Sequence, residues 1–219
     1  MKKAAAIIIT VLLLAVASPV QAEIIRIAIE ATVDWVDDQG DYLEGNITPG
    51  DIITGTYTYD SDTADSNPSS TVGDYWHYNS PFGISLNVGG FDFKTDPTDV
   101  EILIEVINNS TSGELHDGYG VLSYNNSPLS NGVPVDMVSW WLRDNTANAL
   151  LSDALLITAP VLDNWEQPWG LRLESDRRFM VNADVTSAFV VPEPASIIAF
   201  GYAFIVLRKY GAKKQRRKQ

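Results

Sequence analysis

The sequence predicts an all-β domain, an antiparallel β-sandwich of jelly-roll type, between Glu23 and Val190. Three observations predict it. Apolar residues recur with a period of two rather than 3.6, the periodic runs are short, and Asn, Gly, Asp and Pro separate them. The cysteine count is zero, so disulfides, Cys-ligated zinc and thiol chemistry are excluded and the core must carry the stability.

The chain opens on a different pattern. Lys2 and Lys3 precede an uncharged apolar run, Ala4 to Ala17, which Ser18-Pro19 breaks, and Val20-Gln21-Ala22 sets small residues where a signal peptidase requires them. Residues 1–22 therefore read as a secretory signal peptide cleaved between Ala22 and Glu23. The run is short for a membrane span.

Next come the strands. Ile25, Ile27, Ile29, Ala31, Val33 and Trp35 alternate with Arg26, Ala28, Glu30, Thr32 and Asp34. Ile53, Gly55, Tyr57 and Tyr59 alternate with threonines, and Phe82, Ile84, Leu86 and Val88 with Gly83, Ser85 and Asn87. Gly89-Gly90 predicts a tight hairpin turn into Phe91 and Phe93. Further strands are expected over Val100–Ile107, Gly118–Tyr124, Val135–Arg143, Trp169–Glu174 and Phe179–Val190, nine in all, with Tyr75-Trp76-His77-Tyr78 an additional aromatic strand. Ser61–Gly73 and Pro160–Pro168 read as loops. Thr146–Leu156 is the one segment suited to a short helix, with Asp144 or Asn145 as its cap.

Charge bounds the partners. Between Glu23 and Pro194 stand six Lys and Arg against all 28 Asp and Glu, a net of −22. Such a surface repels nucleic acid and anionic lipid headgroups and tolerates divalent cations or neutral polymers.

Four constellations invite a chemical reading. His77 and His116 are the two histidines, and no G-x-S-x-G elbow accompanies them, so His77 reads as part of its aromatic strand. Glu101, Leu103 and Glu105 share one strand face, the spacing of a retaining glycosidase pair, but Leu103 stands where an aspartate would separate the two carboxyl pKa values. A solvated acidic face is the simpler reading, and no catalytic residue is expected. Asp60, Asp62 and Asp65 space oxygens as an irregular calcium loop does, or as a solvated turn does. They fail as an EF-hand, because Ala64, Asp65 and Thr71 replace required residues. No other cofactor is implied. Trp140 and Trp141, being adjacent, point to opposite faces, while Trp165 and Trp169 flank Pro168 in a loop where exposed rings suit a sugar-binding surface.

The C-terminus orders three parts: Val191-Pro192-Glu193-Pro194, an apolar stretch, and the cations Arg208, Lys209, Lys213, Lys214, Arg216, Arg217 and Lys218. The prolines hold the junction extended, the apolar stretch partitions into the bilayer, and the cations stay cytoplasmic, which sets the preceding domain outside. From Ala195 to Leu207 only 13 residues are uncharged, about 20 Å of helix, so the expected transmembrane helix runs on over about 195–212 with Arg208 and Lys209 reaching back to the interface.

These residues resemble the PEP-CTERM sorting signal, which is read by exosortases, transpeptidase-like membrane enzymes of Gram-negative bacteria that make extracellular polysaccharide. The resemblance covers Val191 to Lys218, and LPxTG, the related Gram-positive signal, is absent. It implies that Pro192, Glu193 and Pro194 are recognised and that the tail of residues 191–219 is removed during sorting. The expectation is a non-enzymatic protein of the cell surface or extracellular matrix, passing through a periplasmic, membrane-anchored stage, with signal peptidase, exosortase and extracellular polysaccharide as partners. A carbohydrate-binding β-sandwich is the alternative, and a glycoside hydrolase a more distant one. The β region is similar to domains that precede such tails, in Gly55–Asp60 (GTYTYD) and Ser152–Leu156 (SDALL). That similarity implies no particular activity.

Overall fold

The structure, a computed structural model, describes residues 24–192. Ten strands follow one another: β1 Ile24–Asp37, β2 Ile52–Asp60, β3 Val72–His77, β4 Gly83–Val88, β5 Phe91–Lys94, β6 Ile102–Ser110, β7 His116–Ser123, β8 Met137–Asp144, β9 Gln167–Ser175 and β10 Phe179–Val190. Every pairing is antiparallel, in the order β3-β6-β7-β8-β9-β10-β1-β2-β4-β5. The all-β antiparallel expectation holds. The hydrogen bonding, however, does not divide into the two separate sheets of a jelly roll; it forms one continuous curled sheet.

The curl brings β2, β4 and β5 opposite β6, β7 and β8. Tyr57 and Tyr119 share a hydroxyl hydrogen bond of 3.0 Å across the interior, and the Tyr57 ring meets Trp140 edge-on at 5.9 Å. Thr95, just after β5, bonds Ser123 of β7 at 2.7 Å and forms an isolated bridge with Asn126. Curling lets a single sheet bury one whole face against itself. The enclosed core takes the even-spaced residues of each strand: Ile25, Ile27 and Ile29 of β1, Ile102, Ile104 and Val106 of β6, Val138, Trp140 and Leu142 of β8. Burial of tyrosines 57 and 119 among these apolar residues raises both hydroxyl pKa values, so both stay neutral.

Two irregularities in the β1–β10 ladder sharpen the bend. Register shifts between Glu30 and Ala31 and between Val33 and Trp35 leave Thr186 and Asp34 unopposed. The second shift turns Trp35 outward, 45 % exposed, where strict alternation from Ile25 would have kept it inside. The Gly89-Gly90 hairpin forms as expected, with φ of 58° and 82° and Val88 opposite Phe91.

Thr146–Leu156 is not a helix. Asp144 does act as a cap, accepting the N–H groups of Thr146, Asn148 and Ala149, but Ala147 at φ 52° turns the chain out of the helical region and an irregular loop follows. A 3-10 turn forms later, over Leu162–Asn164. Among the described residues no helix is long and apolar enough to cross a membrane. The signal peptide with Ala22 and Glu23, the motif residues Glu193 and Pro194, the span 195–212 and the cations from Arg208 to Lys218 lie outside the described residues.

Candidate functional site

In strands β6, β7 and β8 the alternation fails in an informative way. ILIE, GVLS and SWWL carry apolar residues at both parities, so both faces of this wall are covered. Leu103 and Leu122 are buried, yet they face away from the core that encloses their neighbours Ile102, Ile104 and Val121. What covers them is a row of rings. Trp76 of β3 lies across from Leu103, parallel to Tyr78 (3° between planes, centroids 5.9 Å) and 5.6 Å from Tyr124.

One register row further along, Asp74 stands directly opposite Glu105. Burial, and next to it the Asp74 charge, pushes the Glu105 carboxyl above its ordinary range. Glu105 thus does have a carboxylate neighbour that helps to raise its pKa. It comes from β3, not from the Leu103 position within its own strand. Glu101 sits just ahead of β6, with its backbone carbonyl accepting Tyr124 N–H at 3.0 Å.

The same row continues through Gly120 to Trp141. A Cβ on Gly120 would sit 2.7–2.9 Å from three adjacent atoms of the Trp141 six-membered ring. An edge-on ring cannot bring three neighbouring atoms equally close to one point, so the ring lies face-down on the glycine. Glycine is required here because any side chain would lift the indole. Trp141, half-buried, also lines a groove of about 530 Å³, together with Met137, Ser139, Arg143, Arg172 and Glu174, with Gly118 and Gly170 in its walls. Arg172 pairs with Glu174 at 2.6 Å, while its Nε is buried without a hydrogen-bond partner among the described residues. The Arg143 Nε donates to Asn145 Oδ1 at 2.7 Å. A second hollow of about 560 Å³ adjoins this one, sharing Arg172 and Glu174, and there Arg177 and Arg178 face Asp37, Asp136 and Asp176.

Other sequence-predicted site residues fall elsewhere. Trp165 is 7 % exposed and belongs to the core cluster, because the 3-10 turn carries it inward; it is not a surface ring. Trp169 is paired with Trp141 in the β8–β9 ladder, so it lies in a strand and not a loop; its side chain lies outside what the structure describes. Asp60, Asp62 and Asp65 do not converge as a set of ligands. Asp60 Oδ1 accepts Asp62 N–H, and Asp65 Oδ1 accepts the N–H groups of Asn67 and Asp74, so these carboxylates hold their own loop. Among the described residues no group of three or more His, Asp or Glu is placed to hold a metal ion.

His77 is buried and latches that same loop. Its Nε2 accepts Asp60 N–H at 3.0 Å and faces the Thr63 hydroxyl at 2.9 Å, which assigns the proton to Nδ1, donated to the Tyr75 carbonyl. Burial lowers its pKa, keeping it neutral. His116 lines the groove with Nδ1 on the Glu114 carbonyl.

The outward indole of Trp141 follows from its adjacency to Trp140. The groove around it did not follow from motif reading. Its one sequence signal is the small-residue alternation Gly118-Tyr119-Gly120 opposite Trp141-Leu142-Arg143, legible only once the β7–β8 register is known. No family model, curated protein or solved structure matches the chain.

Proposed function

We propose that the protein is a non-enzymatic, exported surface protein whose β domain binds extracellular polysaccharide on its outer sheet face. The observation that carries the binding reading is Trp141, laid face-down on Gly120 and lining the groove. Sugar rings present C–H groups on their faces, and an immobile indole stacks on them at little entropic cost. The stacked Trp76, Tyr78 and Tyr124 extend the aromatic surface along the same face. Binding is favoured over hydrolysis because a glycosidase needs two carboxyl groups flanking one bond. Among the described residues the groove has a single carboxylate, Glu174, and it is held by Arg172.

Export and sorting rest on the two chain ends: the signal sequence before Glu23, and the order of Val191-Pro192-Glu193-Pro194, apolar stretch and basic cluster. In this reading exosortase removes the tail after a membrane-anchored periplasmic stage and leaves the domain at the cell surface or in the matrix. Intact mass of the mature protein, from cells with and without the sorting enzyme, tests it. Loss of the tail is expected only when the enzyme is present, and a C-terminus at Gln219 in both strains defeats the sorting reading.

For binding, the full-length protein is titrated with a panel of glucans and galactans while tryptophan fluorescence is followed. Saturable quenching that disappears in Trp141→Ala is expected. Absence of binding to every polymer, or binding unchanged by that substitution, overturns the reading.

A further inference from the structure

The groove differs in charge from the domain that holds it. Overall, acidic residues outnumber basic ones between Glu23 and Pro194 by 28 to six. Among the described residues, the lining of the Trp141 groove reverses this, with Arg143 and Arg172 against Glu174. Two arginines at an indole in so acidic a protein are not needed for solubility, and Arg143 is not consumed by an ion pair of the fold. Arg143 has Asn145 as its partner and no carboxylate among the described residues, and Arg172 keeps an unpartnered Nε besides its bond to Glu174.

From these observations we infer that the groove takes a carboxylate-bearing sugar, a uronate unit of an acidic polysaccharide; the inference rests on the polysaccharide-binding reading and names its ligand class. Trp141 and Arg143 project from the same face of β8, two residues apart and therefore about 6.8 Å along the strand. That is the scale of one pyranose ring. A ring stacked on the indole thus carries its equatorial carboxylate to the Arg143 guanidinium, whose planar fork matches a carboxylate in two-point contact. Ser139 and Asn182, uncharged and on the same lining, supply hydroxyl and amide partners for the sugar hydroxyls. The domain's net negative charge opposes a polyanion at long range, so affinity should rise with moderate salt before it falls as the direct contacts are screened.

The test compares tetragalacturonate with the neutral galactotetraose on the full-length protein by calorimetry. The acidic oligomer is expected to bind about tenfold tighter, the size of one charge-assisted contact. Arg143→Gln should remove that preference, bringing the acidic oligomer down to the neutral one's affinity, with the near-ultraviolet circular dichroism unchanged. Trp141→Ala should abolish both interactions. If the neutral oligomer binds as tightly as the acidic one, or Arg143→Gln leaves the preference intact, the uronate inference fails and polysaccharide binding stands. If neither oligomer nor any polymer of the wider panel binds, the binding reading itself has failed and the inference goes with it.

Discussion

The outer faces of the two walls make an instructive contrast. Outside β2, β4 and β5 the sheet shows Thr54, Thr56, Ser85, Asn87, Asp92 and Lys94, short or charged side chains of an ordinary solvated face. Outside β3, β6, β7 and β8 it shows Trp76, Leu103, Leu122, Met137 and Trp141, interrupted by Gly118 and Gly120. The two walls share one core and one curl, so folding alone does not call for the difference. Trp76 and Trp141 are half-buried there and Tyr78 is exposed, so this face keeps rings at the surface at a cost the other wall does not bear. On the proposed reading, function sits in the half of the alternation that the core does not need.

The neighbours Trp140 and Trp141 break or sharpen this contrast most directly. Trp140, fully buried against Tyr57 and Tyr119, should cost about 3–5 kcal/mol on conversion to alanine, read by urea denaturation. Next in size is Asp117→Ala. Asp117 accepts the buried Leu150 N–H and the part-buried Asn109 N–H, so one buried donor is stranded and a second weakened, at about 2–3 kcal/mol together by the same measurement. Gly120→Ala should cost about 1–3 kcal/mol, because its Cβ must displace the indole, and should weaken glycan binding in parallel. Trp141→Ala should cost about 1 kcal/mol or less while removing binding. Should Trp141→Ala destabilise as much as Trp140→Ala, the outer face is a second structural layer and the functional reading of it is lost.

Smaller effects follow from titration. Glu105 has a folded pKa above its ordinary value, so its charged form costs stability at neutral pH and the cost vanishes in acid, below about 4.5. Glu105→Gln should therefore raise the melting temperature slightly at pH 7 and leave it unchanged near pH 4. His77 runs the other way. Its folded pKa is lowered, so the stability it contributes is complete above the unfolded value near 6.5 and is lost as pH falls below it, with the Asp60–Asp65 loop released first. Amide exchange at Asp60 as a function of pH reads this; a flat profile between pH 7 and 5 contradicts the latch.

The strands were legible because a half-buried strand advertises itself by alternation, and Gly89-Gly90 because few turns tolerate two positive φ values in sequence. The continuous sheet was not, since alternation says which side is buried and is silent on whether strands close into one ladder or two. The helix expected over Thr146–Leu156 failed for a related reason: Asp144 is a true cap, but a cap satisfies donors in loops as well as in helices. Trp165 misled because a loop does not mean exposure: the turn at Leu162–Asn164 folds it into the core. The aromatic row of Trp76, Tyr78 and Tyr124 needs the β3–β6–β7 pairing, which joins residues nearly fifty positions apart.

The pairing of β1 with β10 sets Ile27 opposite Val190, with Val191 N–H bonded to the Arg26 carbonyl. The chain thus arrives and departs side by side, and the final strand is flanked by β1 on one edge and β9 on the other. A pull on the C-terminal segment acts along β10, and its lateral hydrogen bonds then resist in shear, all together, instead of peeling one at a time. A domain suspended by that segment in flowing medium is gripped at the strand best able to bear the load.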